Sequence, residues 1–394
     1  MINANTKLLE PGNLNDILYV YPETLRNMVE RVDSLLVEIG EGFGTQFKID
    51  YNAVVVKKWQ IRKVEEWKKE IKKEMEKHQS YDIVIVVLDR ANTKFKHELK
   101  KTISEEYGIV SQFLNADNLN KKSGTIKSIM SKVVMQILSK VGFKIWEVSL
   151  KDIIPTHYVP AIGGLSVGKE RGNILNFKFV GARNSTLNSY FNTNIKVKNP
   201  KEDKVGKLAS LFIKWIEEYE KRNGKKPNLL IIYRDGMNLE QVLTQVHDEV
   251  VALKEAIASK KHYSPEIIYI VACNRENTRF YTKKGDAVLN CEAGTVYIDN
   301  KINDGAYEFY MQAHSVFRAC AHPVYYRVVL HESKLTQKEL ISLTHSQCYN
   351  YFNWAGAGKV PGCLQYNKKL SRFLMDTNTD LEKSPILNTL PHYL

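Results

Sequence analysis

Five polar residues in the first 140 positions have the types and spacing of an anion-binding site. Lys96 and Lys100 are four residues apart, so on a helix they lie on one face. Gln136 and Lys140 have the same spacing on the polar side of a longer predicted helix. If the two faces meet beside Gln112, three ammonium groups and two amides converge, and such a cluster needs an anion because like charges repel. Solvated lysines on two separate helix faces are the alternative.

The overall charge favours a polyanionic partner. The net charge is +13, and neutralising phosphates with Lys and Arg releases counterions. Charge alone does not distinguish RNA from DNA or from an anionic membrane surface, and a merely basic surface stays open. The longest apolar runs, such as Ile83–Leu88, are far shorter than the ~20 residues of a membrane span. No N-terminal segment resembles a signal peptide, so we expect an intracellular protein without a membrane partner.

Other catalytic and metal-binding patterns are missing from the sequence. The five cysteines are scattered without a CxxC pair, which argues against a structural zinc site and indicates reduced, packed thiols. The histidines His314, His322, His331 and His345 lack a spacing such as HExxH. There is also no GxSxG elbow and no Walker A loop.

The elements around the lysine pairs alternate between strand and helix. The β-branched run Ile83–Leu88 is apolar on both faces, as in a buried parallel strand. A helix is predicted from about Lys94 to Tyr107, then a short apolar segment at Ile109–Val110, then a helix over 125–141. This order predicts a small doubly wound α/β domain at residues 79–150. The Lys- and Glu-rich stretch before it predicts a solvated helix and a linker at 1–78.

The rest of the chain has a different order of elements. Three strands joined by short turns are predicted to pair antiparallel, and a helix, a strand, a second helix and a further strand follow. The strands are predicted at 158–167, 173–181, 186–197, 229–233 and 267–273. This order is typical of an RNase H-like fold, in which carboxylates at strand ends bind metal ions for phosphodiester chemistry.

Several segments resemble the PIWI family of Argonaute proteins. Residues 227–241, PNLLIIYRDGMNLEQ, resemble the strand and YRDG segment of PIWI domains, and Lys140–Trp146 resembles the end of a MID domain. Further matches follow in family order at 277–280 (NTRF), 293–296 (AGTV), 308–310 (EFY), 314–316 (HSV) and 353–356 (NWAG). Trp146 and the NW pair favour the PIWI clade. The resemblance covers roughly residues 80–394 and implies an α/β protein, with a Rossmann-like MID domain at 79–150 followed by an RNase H-like PIWI domain at 151–394.

The resemblance gives the lysine pairs a ligand. Lys100, Gln112 and Lys140 match the family positions that bind the 5′-phosphate of a guide RNA, and Gln136 matches a further position of that pocket. Lys96 stands where the family has a Tyr that stacks on the first base. A lysine cannot stack in that way, so the first-base contact is in doubt, with Phe95 as a substitute.

The C-terminus belongs to the same implied pocket. In the family the terminal carboxylate faces the 5′-phosphate, sometimes through a metal ion, which implies this position for Leu394. No cofactor is required. A magnesium ion held by Gln112 and the Leu394 carboxylate is the metal that the resemblance implies here.

Five more residues match segments that line the nucleic-acid channel in relatives. They are Arg275, Thr278, Arg279, Arg318 and Arg372. Arginine suits bidentate contact with phosphate. Surface ion pairs are the alternative for any one of them.

The nuclease site implied by the resemblance departs from the family pattern. The family tetrad is Asp, Glu, Asp and His, occasionally with Lys in the last place, and Asp235 of YRDG matches one member. The other three positions fall on Ser166, on Asp203 with Glu202 beside it, and on Lys368. A neutral serine, a shorter carboxylate and a cation are poor ligands for two magnesium ions. We therefore expect no target cleavage and no catalytic residue.

These features lead to one hypothesis with two alternatives. The first is a non-cleaving ribonucleoprotein module for RNA silencing or RNA processing, whose partners are a small guide RNA, a complementary RNA target and recruited proteins. The nucleus is favoured over the cytoplasm as its location. The alternatives are an active guide-directed RNA endonuclease with a degenerate tetrad, and a guide-free scaffold for protein contacts.

Overall fold

The chain forms two compact units, each with its own sheet. The computed structural model describes residues 8–394 except 11, 48–51, 58–60, 79, 171–173, 199–202, 237–238, 275–276, 300–306, 317–318, 380 and 382–384. The first unit combines 1–146 with 371–394, and the second is Glu147–Leu370.

The first unit is a parallel sheet between helices. Its strands are β1 (Ile17–Pro22), β2 (Asn52–Val56), β3 (Ile83–Leu88) and β4 (Ser111–Asn115), in the spatial order β2-β1-β3-β4. Its helices are α1 (Arg26–Phe43), α2 (Val64–Lys77), α3 (Lys96–Glu106), α4 (Ala116–Leu119) and α5 (Ser123–Lys140). Helices α2 and α3 bury Trp67, Ile71, Leu99 and Ile103 against one face of the sheet. The predicted doubly wound alternation is present.

Residues before position 79 contribute two strands to the sheet of the first unit. Strand β1 pairs with β3 and with β2, all in parallel. All six residues of β1 are buried, because this strand is central and helices cover both faces. The structure therefore differs from the expected linker at 1–78, and its division of the chain differs from the expected boundaries at 78/79 and 150/151. The sequence interpretation missed β1, whose run ILYVYP is short and ends in proline.

The second unit is built on a mixed sheet of eight strands. These strands are β5 (Pro160–Lys169), β6 (Leu175–Ala182), β7 (Tyr190–Val197), β8 (Leu229–Gly236), β9 (Glu266–Cys273), β12 (Thr295–Asp299), β13 (Glu308–Gln312) and β14 (Val324–His331). Their spatial order is β12-β13-β14-β9-β8-β5-β6-β7. Strands β5, β6 and β7 pair antiparallel, whereas β5, β8 and β9 run parallel. This agrees with the predicted order of an RNase H-like sheet.

The remaining elements complete this unit. A separate hairpin joins β10 (Tyr281–Lys284) to β11 (Ala287–Asn290). The helices are α6 (Lys204–Asn223), α7 (Leu239–Ala258), α8 (Gln337–Gln347) and α9 (Gly362–Thr377). Residues 362–370 of α9 belong to the second unit and 371–377 to the first. Helix α6 buries Phe212 and Trp215 against the sheet.

A glycine brings α9 close to β5. A Cβ atom on Gly164 would lie 2.8 Å from the carbonyl carbon of Cys363, nearer than real Cβ atoms approach backbone. The absence of a side chain at Gly164 therefore lets the start of α9 pack directly on the strand. Because the helix begins there, Asn367 follows about one turn later and contacts Ser166 and Gly164 of β5. No described helix is long and apolar enough to cross a membrane.

Candidate functional site

Lys140 is the most deeply buried lysine of the predicted anion site. Only 2% of its surface is exposed. Its ammonium group donates to the carbonyl of Ser111 at 2.9 Å and to Oε1 of Gln112 at 2.8 Å. The amide nitrogen of Gln112 donates to Oε1 of Gln136 at 3.4 Å. Helix α5 therefore presents Gln136 and Lys140 to strand β4, as their four-residue spacing predicts.

Lys100 lies at the C-terminus of the chain. It is 8% exposed, and its Nζ lies 3.5 Å from the terminal oxygen of Leu394. The same ammonium group sits over the ring of Phe373, 5.1 Å from its centroid. The neighbouring Lys101 reaches the carbonyl of Asn378 at 3.5 Å. Phe373, Asn378 and Leu394 thus lie against α3 within the first unit, and Leu394 lies beside Lys100.

His392 lies near enough to both buried lysines for their charges to act on it, and the sequence interpretation missed it. Its Nδ1 lies 3.1 Å from the carbonyls of Leu387 and Leu390. Its Nε2 is buried without a hydrogen-bond partner in the described part of the chain. Burial first, and then the charges of Lys100 and Lys140, lower the pKa of this histidine to about 3. A neutral imidazole therefore lies beside two ammonium groups, where a cation would be repelled.

The predicted base contact differs from expectation. Phe95 is buried, and its ring packs against Trp67 at a centroid distance of 6.4 Å. It belongs to the core and cannot stack on a base in this conformation. Lys96 is exposed one turn before Lys100 on α3. Among the predicted pocket residues, Lys100 lies beside Leu394, Lys140 contacts Gln112, and Gln112 contacts Gln136.

At the predicted nuclease site, Ser166 is tied to a neighbouring amide. Its hydroxyl donates to Oδ1 of Asn367 at 2.5 Å. The amide nitrogen of Asn367 donates to the carbonyls of Gly164 and Lys178, both at 2.7 Å. Asn367 is completely buried. The serine is therefore part of a closed hydrogen-bond network that locks α9 onto β5 and β6.

Asp235 lies beside Ser166 at the carboxyl edge of the sheet. The parallel register pairs Leu165 with Arg234, which places Ser166 and Asp235 next in line. Oδ1 of Asp235 accepts from the amide of Asn274 at 3.0 Å, and the carbonyl of Asn274 accepts from Lys359 at 3.2 Å. The sequence interpretation missed Lys359, whose only indication was its charge.

The other two tetrad positions have different surroundings. Asp203 is exposed and caps α6, since its Oδ1 accepts from the backbone of Gly206 at 2.8 Å. Lys368 is half-buried, one residue after Asn367 on α9. Glu202 lies outside the described residues. Among those described, no three side chains of His, Cys, Asp or Glu come close enough together to hold a metal ion.

The surroundings of Gln112 and Leu394 determine whether these residues can bind the expected magnesium ion. Magnesium requires several oxygen ligands in octahedral geometry. Oε1 of Gln112 faces the ammonium group of Lys140, and the terminal oxygen of Leu394 faces Lys100. In this conformation the predicted ligands are turned to cations, so the protein side chains alone do not fit the ion.

The predicted backbone-binding residues are only partly described. Arg275 and Arg318 lie outside the described residues. Arg279 donates to the carbonyl of Thr278 at 2.7 Å, and both are half-buried. Arg372 is largely exposed and lies 3.6 Å from Asp376, one turn later on α9. An ion pair of that kind is the alternative that the sequence left open for this arginine.

Comparison with known proteins places this chain in a family. The family model for the Piwi domain matches residues 83–379. Piwi-like protein 1 of Gallus gallus is 28% identical over 320 residues, covering 79% of this chain and 36% of that protein. The chain therefore spans little more than a third of the length of this relative.

Solved structures agree on the fold. The crystal structure of Drosophila Piwi superposes with a TM-score of 0.83 at 20% identity, over 99% of this chain and 52% of that one. Kluyveromyces polysporus Argonaute, solved with a guide RNA, gives a TM-score of 0.81 at 17% identity, over 99% and 51%. With the Piwi-domain match across most of its length, the chain belongs to the PIWI clade of the Argonaute proteins.

Proposed function

We propose that this chain binds a small guide RNA, anchors its 5′-phosphate with Lys100 and Lys140, and holds a paired target without cleaving it. The observation that carries the proposal is the pair of nearly buried ammonium groups beside Gln112, His392 and the C-terminus. Removing two like charges from water is costly unless an anion or hydrogen bonds compensate. A terminal phosphate carries about −1.5 to −2 charges and three acceptor oxygens, which suits this pocket.

The proposed anchoring needs no metal cofactor. Two ammonium groups supply the positive charge, and Gln112 and Gln136 supply amide hydrogen bonds to a phosphate. Where a magnesium ion takes part, the Leu394 carboxylate and oxygens of the phosphate itself would have to provide its ligands. Phosphate binding that survives chelation is therefore the expected behaviour.

Non-cleavage is proposed from the chemistry of the tetrad positions. Two-metal hydrolysis needs several anionic ligands around ions about 4 Å apart. The Ser166 hydroxyl donates a hydrogen bond to Asn367, Asp203 caps a helix, and Lys368 is a cation. Asp235 is the carboxylate that matches its position in the family tetrad.

The wider role rests on the family. Kluyveromyces polysporus Argonaute was solved with a guide RNA, which supports a guide as the ligand of this chain too. Arg279, Thr278 and Arg372, with Arg275 and Arg318, are proposed to contact the guide backbone, and a complementary RNA pairs with the guide. Recruited proteins would then act in RNA silencing or RNA processing. The nuclear location expected from the sequence stays a prediction.

One structural observation favours an alternative activity. Asp235 stands at the carboxyl end of β8 beside Ser166, so an active guide-directed endonuclease with unusual ligands is the second candidate. Incubating guide-loaded protein with a complementary RNA in Mg²⁺ or Mn²⁺ distinguishes the two. Cleavage that Asp235→Ala abolishes would establish the endonuclease.

The direct test is to identify the RNA that copurifies with the native protein. The proposal expects a discrete small-RNA class with 5′-phosphates, and its loss from Lys100→Ala/Lys140→Gln. The variant Lys121→Ala/Lys122→Ala removes the same charge from exposed positions and should keep the RNA. Absence of any enriched small RNA would favour a guide-free scaffold and contradict the proposal.

A further inference from the structure

Three cations converge where the family holds metal ions. Lys359 bonds the carbonyl of Asn274, whose amide in turn bonds Asp235. Lys368 and Arg279 lie near enough to Lys359 for their charges to act on it. We call Lys359, Lys368 and Arg279 the cation cluster. All three residues belong to the second unit.

Burial and the positive charges of this cluster lower the pKa values of Lys359 and of two nearby histidines. Burial first, and then Lys368 and Arg279, lower the pKa of the Lys359 amine. The pKa of His314 is lowered by burial and then by Lys359, and that of His322 by desolvation, Arg279 and Lys359. Five basic side chains therefore share one region, and the two histidines remain neutral at physiological pH.

Neither lysine of the cluster is paired with a carboxylate, since Lys359 and Lys368 form no ion pair within the described residues. Asp235 has its Oδ1 engaged by Asn274, and Ser166 is neutral and bonded to Asn367. Two lysines that lie near each other without an ion-pair partner among the described residues indicate a site for an external anion.

We infer that the cation cluster binds one phosphodiester of the strand paired with the guide, directly and without a metal ion. This inference rests on the proposed function, since it needs a guide-bound duplex. A phosphodiester offers one negative charge and two free oxygens, which a guanidinium can contact bidentately while lysines contact it as point charges. The degenerate nuclease site thereby acquires a role, which is to retain the target by the phosphate that an active relative would attack.

The position of Lys368 supports this role. The buried Asn367 holds its segment of α9 by hydrogen bonds to β5 and β6. Lys368 therefore projects from a rigid support rather than from a mobile loop. Its neighbour Lys369 is exposed on the same helix, so it provides a control of equal charge.

A scan with neutral phosphates tests the inference. Guide-loaded protein binds complementary RNAs in which single phosphates are replaced one at a time by methylphosphonates, in one series with EDTA and in a second series with Mg²⁺. Affinity is normalised to the guide-loaded fraction. We expect one position at which the neutral linkage weakens binding by about tenfold, the size of a charge-assisted contact. Lys368→Ala should weaken the unmodified target similarly and remove the effect of that position, whereas Lys369→Ala should keep it.

The possible outcomes separate this inference from the proposed function. A flat scan in the wild type, or one that Lys368→Ala leaves unchanged, overturns the inference while guide binding stands. A position-specific effect that appears with Mg²⁺ but not with EDTA also overturns it, because a metal ion would then make the contact. If the protein retains no guide at all, the proposed function fails and the inference fails with it.

Discussion

The ammonium group of Lys140 lies 2.8 Å from Oε1 of Gln112. This contact joins the last turn of α5 to strand β4 and fixes the orientation of the amide. A buried ammonium group needs each of its hydrogen-bond acceptors. The contact therefore supports the fold of the first unit and also orients two of the groups proposed to hold a phosphate.

Replacing Gln112 should destabilise the protein. Gln112→Leu leaves the buried Lys140 with one acceptor fewer, and we expect the free energy of unfolding to fall by about 1–3 kcal/mol. Urea denaturation measures this change. Gln136→Leu is the control, because its contact with Gln112 is long, at 3.4 Å, and it is only half-buried. Equal losses in the two variants would contradict this account of the contact.

The arginine of the YRDG segment has a structural role. Nε of Arg234 lies 3.0 Å from Glu249, which also accepts from the hydroxyl of Tyr269 at 2.6 Å. Arg234 is 5% exposed and Glu249 1%. Glu249→Gln leaves a buried charge uncompensated, and we expect a loss of about 3–5 kcal/mol in the free energy of unfolding.

An exposed ion pair of the same unit gives the matched control for Glu249. Lys254 and Glu332 lie 3.1 Å apart with both side chains accessible. Lys254→Ala should change the free energy of unfolding by about 0.5 kcal/mol or less, since exposed pairs contribute little. If Glu249→Gln and Lys254→Ala unfold at the same urea concentration, the buried pair of Arg234 and Glu249 does not stabilise the fold as predicted.

His392 should make stability depend on pH. Its pKa is about 3 in the fold against an ordinary value of 6.5, so the unfolded chain binds the proton more readily. The stabilisation is complete above pH 6.5 and decreases as the pH falls towards 3, by up to about 1.4 kcal/mol per pH unit. His392→Phe should reduce the pH dependence between pH 7 and 5 in urea unfolding, and part of the slope should remain because the pKa values of His314 and His322 are also lowered. The exposed His78 provides the control His78→Phe, which should keep the wild-type slope. An unchanged slope in His392→Phe would refute the assignment.

Restoring one nuclease ligand should not restore cleavage. Ser166→Asp places a carboxylate opposite Oδ1 of Asn367, where the serine hydroxyl now donates. Two acceptors face each other in that variant, so we expect lower stability and no cleavage of a guide-complementary RNA in Mg²⁺. Ser166→Ala removes the hydroxyl without adding charge and controls for the lost hydrogen bond. Metal-dependent cleavage by Ser166→Asp would mean that the remaining positions suffice.

Some elements were predictable from local pattern and others were not. The run Ile83–Leu88 and the apolar stripe of α5 predicted β3 and α5 because burial imposes periodicity on sequence. Strand β1 escaped prediction, since its six residues are short and close to a proline. The pairing of β1 with β3 depends on long-range contacts that no local pattern encodes.

The residues of the candidate sites likewise include some that the sequence predicted and some that it did not. Lys100, Gln112 and Lys140 were predicted because spacing and family resemblance both selected them. His392 was not, because its role depends on the approach of the C-terminal residues to α3. Lys359 was missed for a similar reason, since 85 positions in the sequence separate it from Asn274, to which it bonds.

The most direct test of the account compares binding of one RNA with and without its 5′-phosphate. For the wild type we predict that the phosphate tightens binding by about 100-fold or more, as two charge-assisted contacts would, with EDTA present. Lys100→Ala/Lys140→Gln should lose this preference while keeping its fold by circular dichroism, and Lys121→Ala/Lys122→Ala should keep it. Equal affinity of the wild type for the two RNAs, or an undiminished preference in Lys100→Ala/Lys140→Gln, would contradict the account.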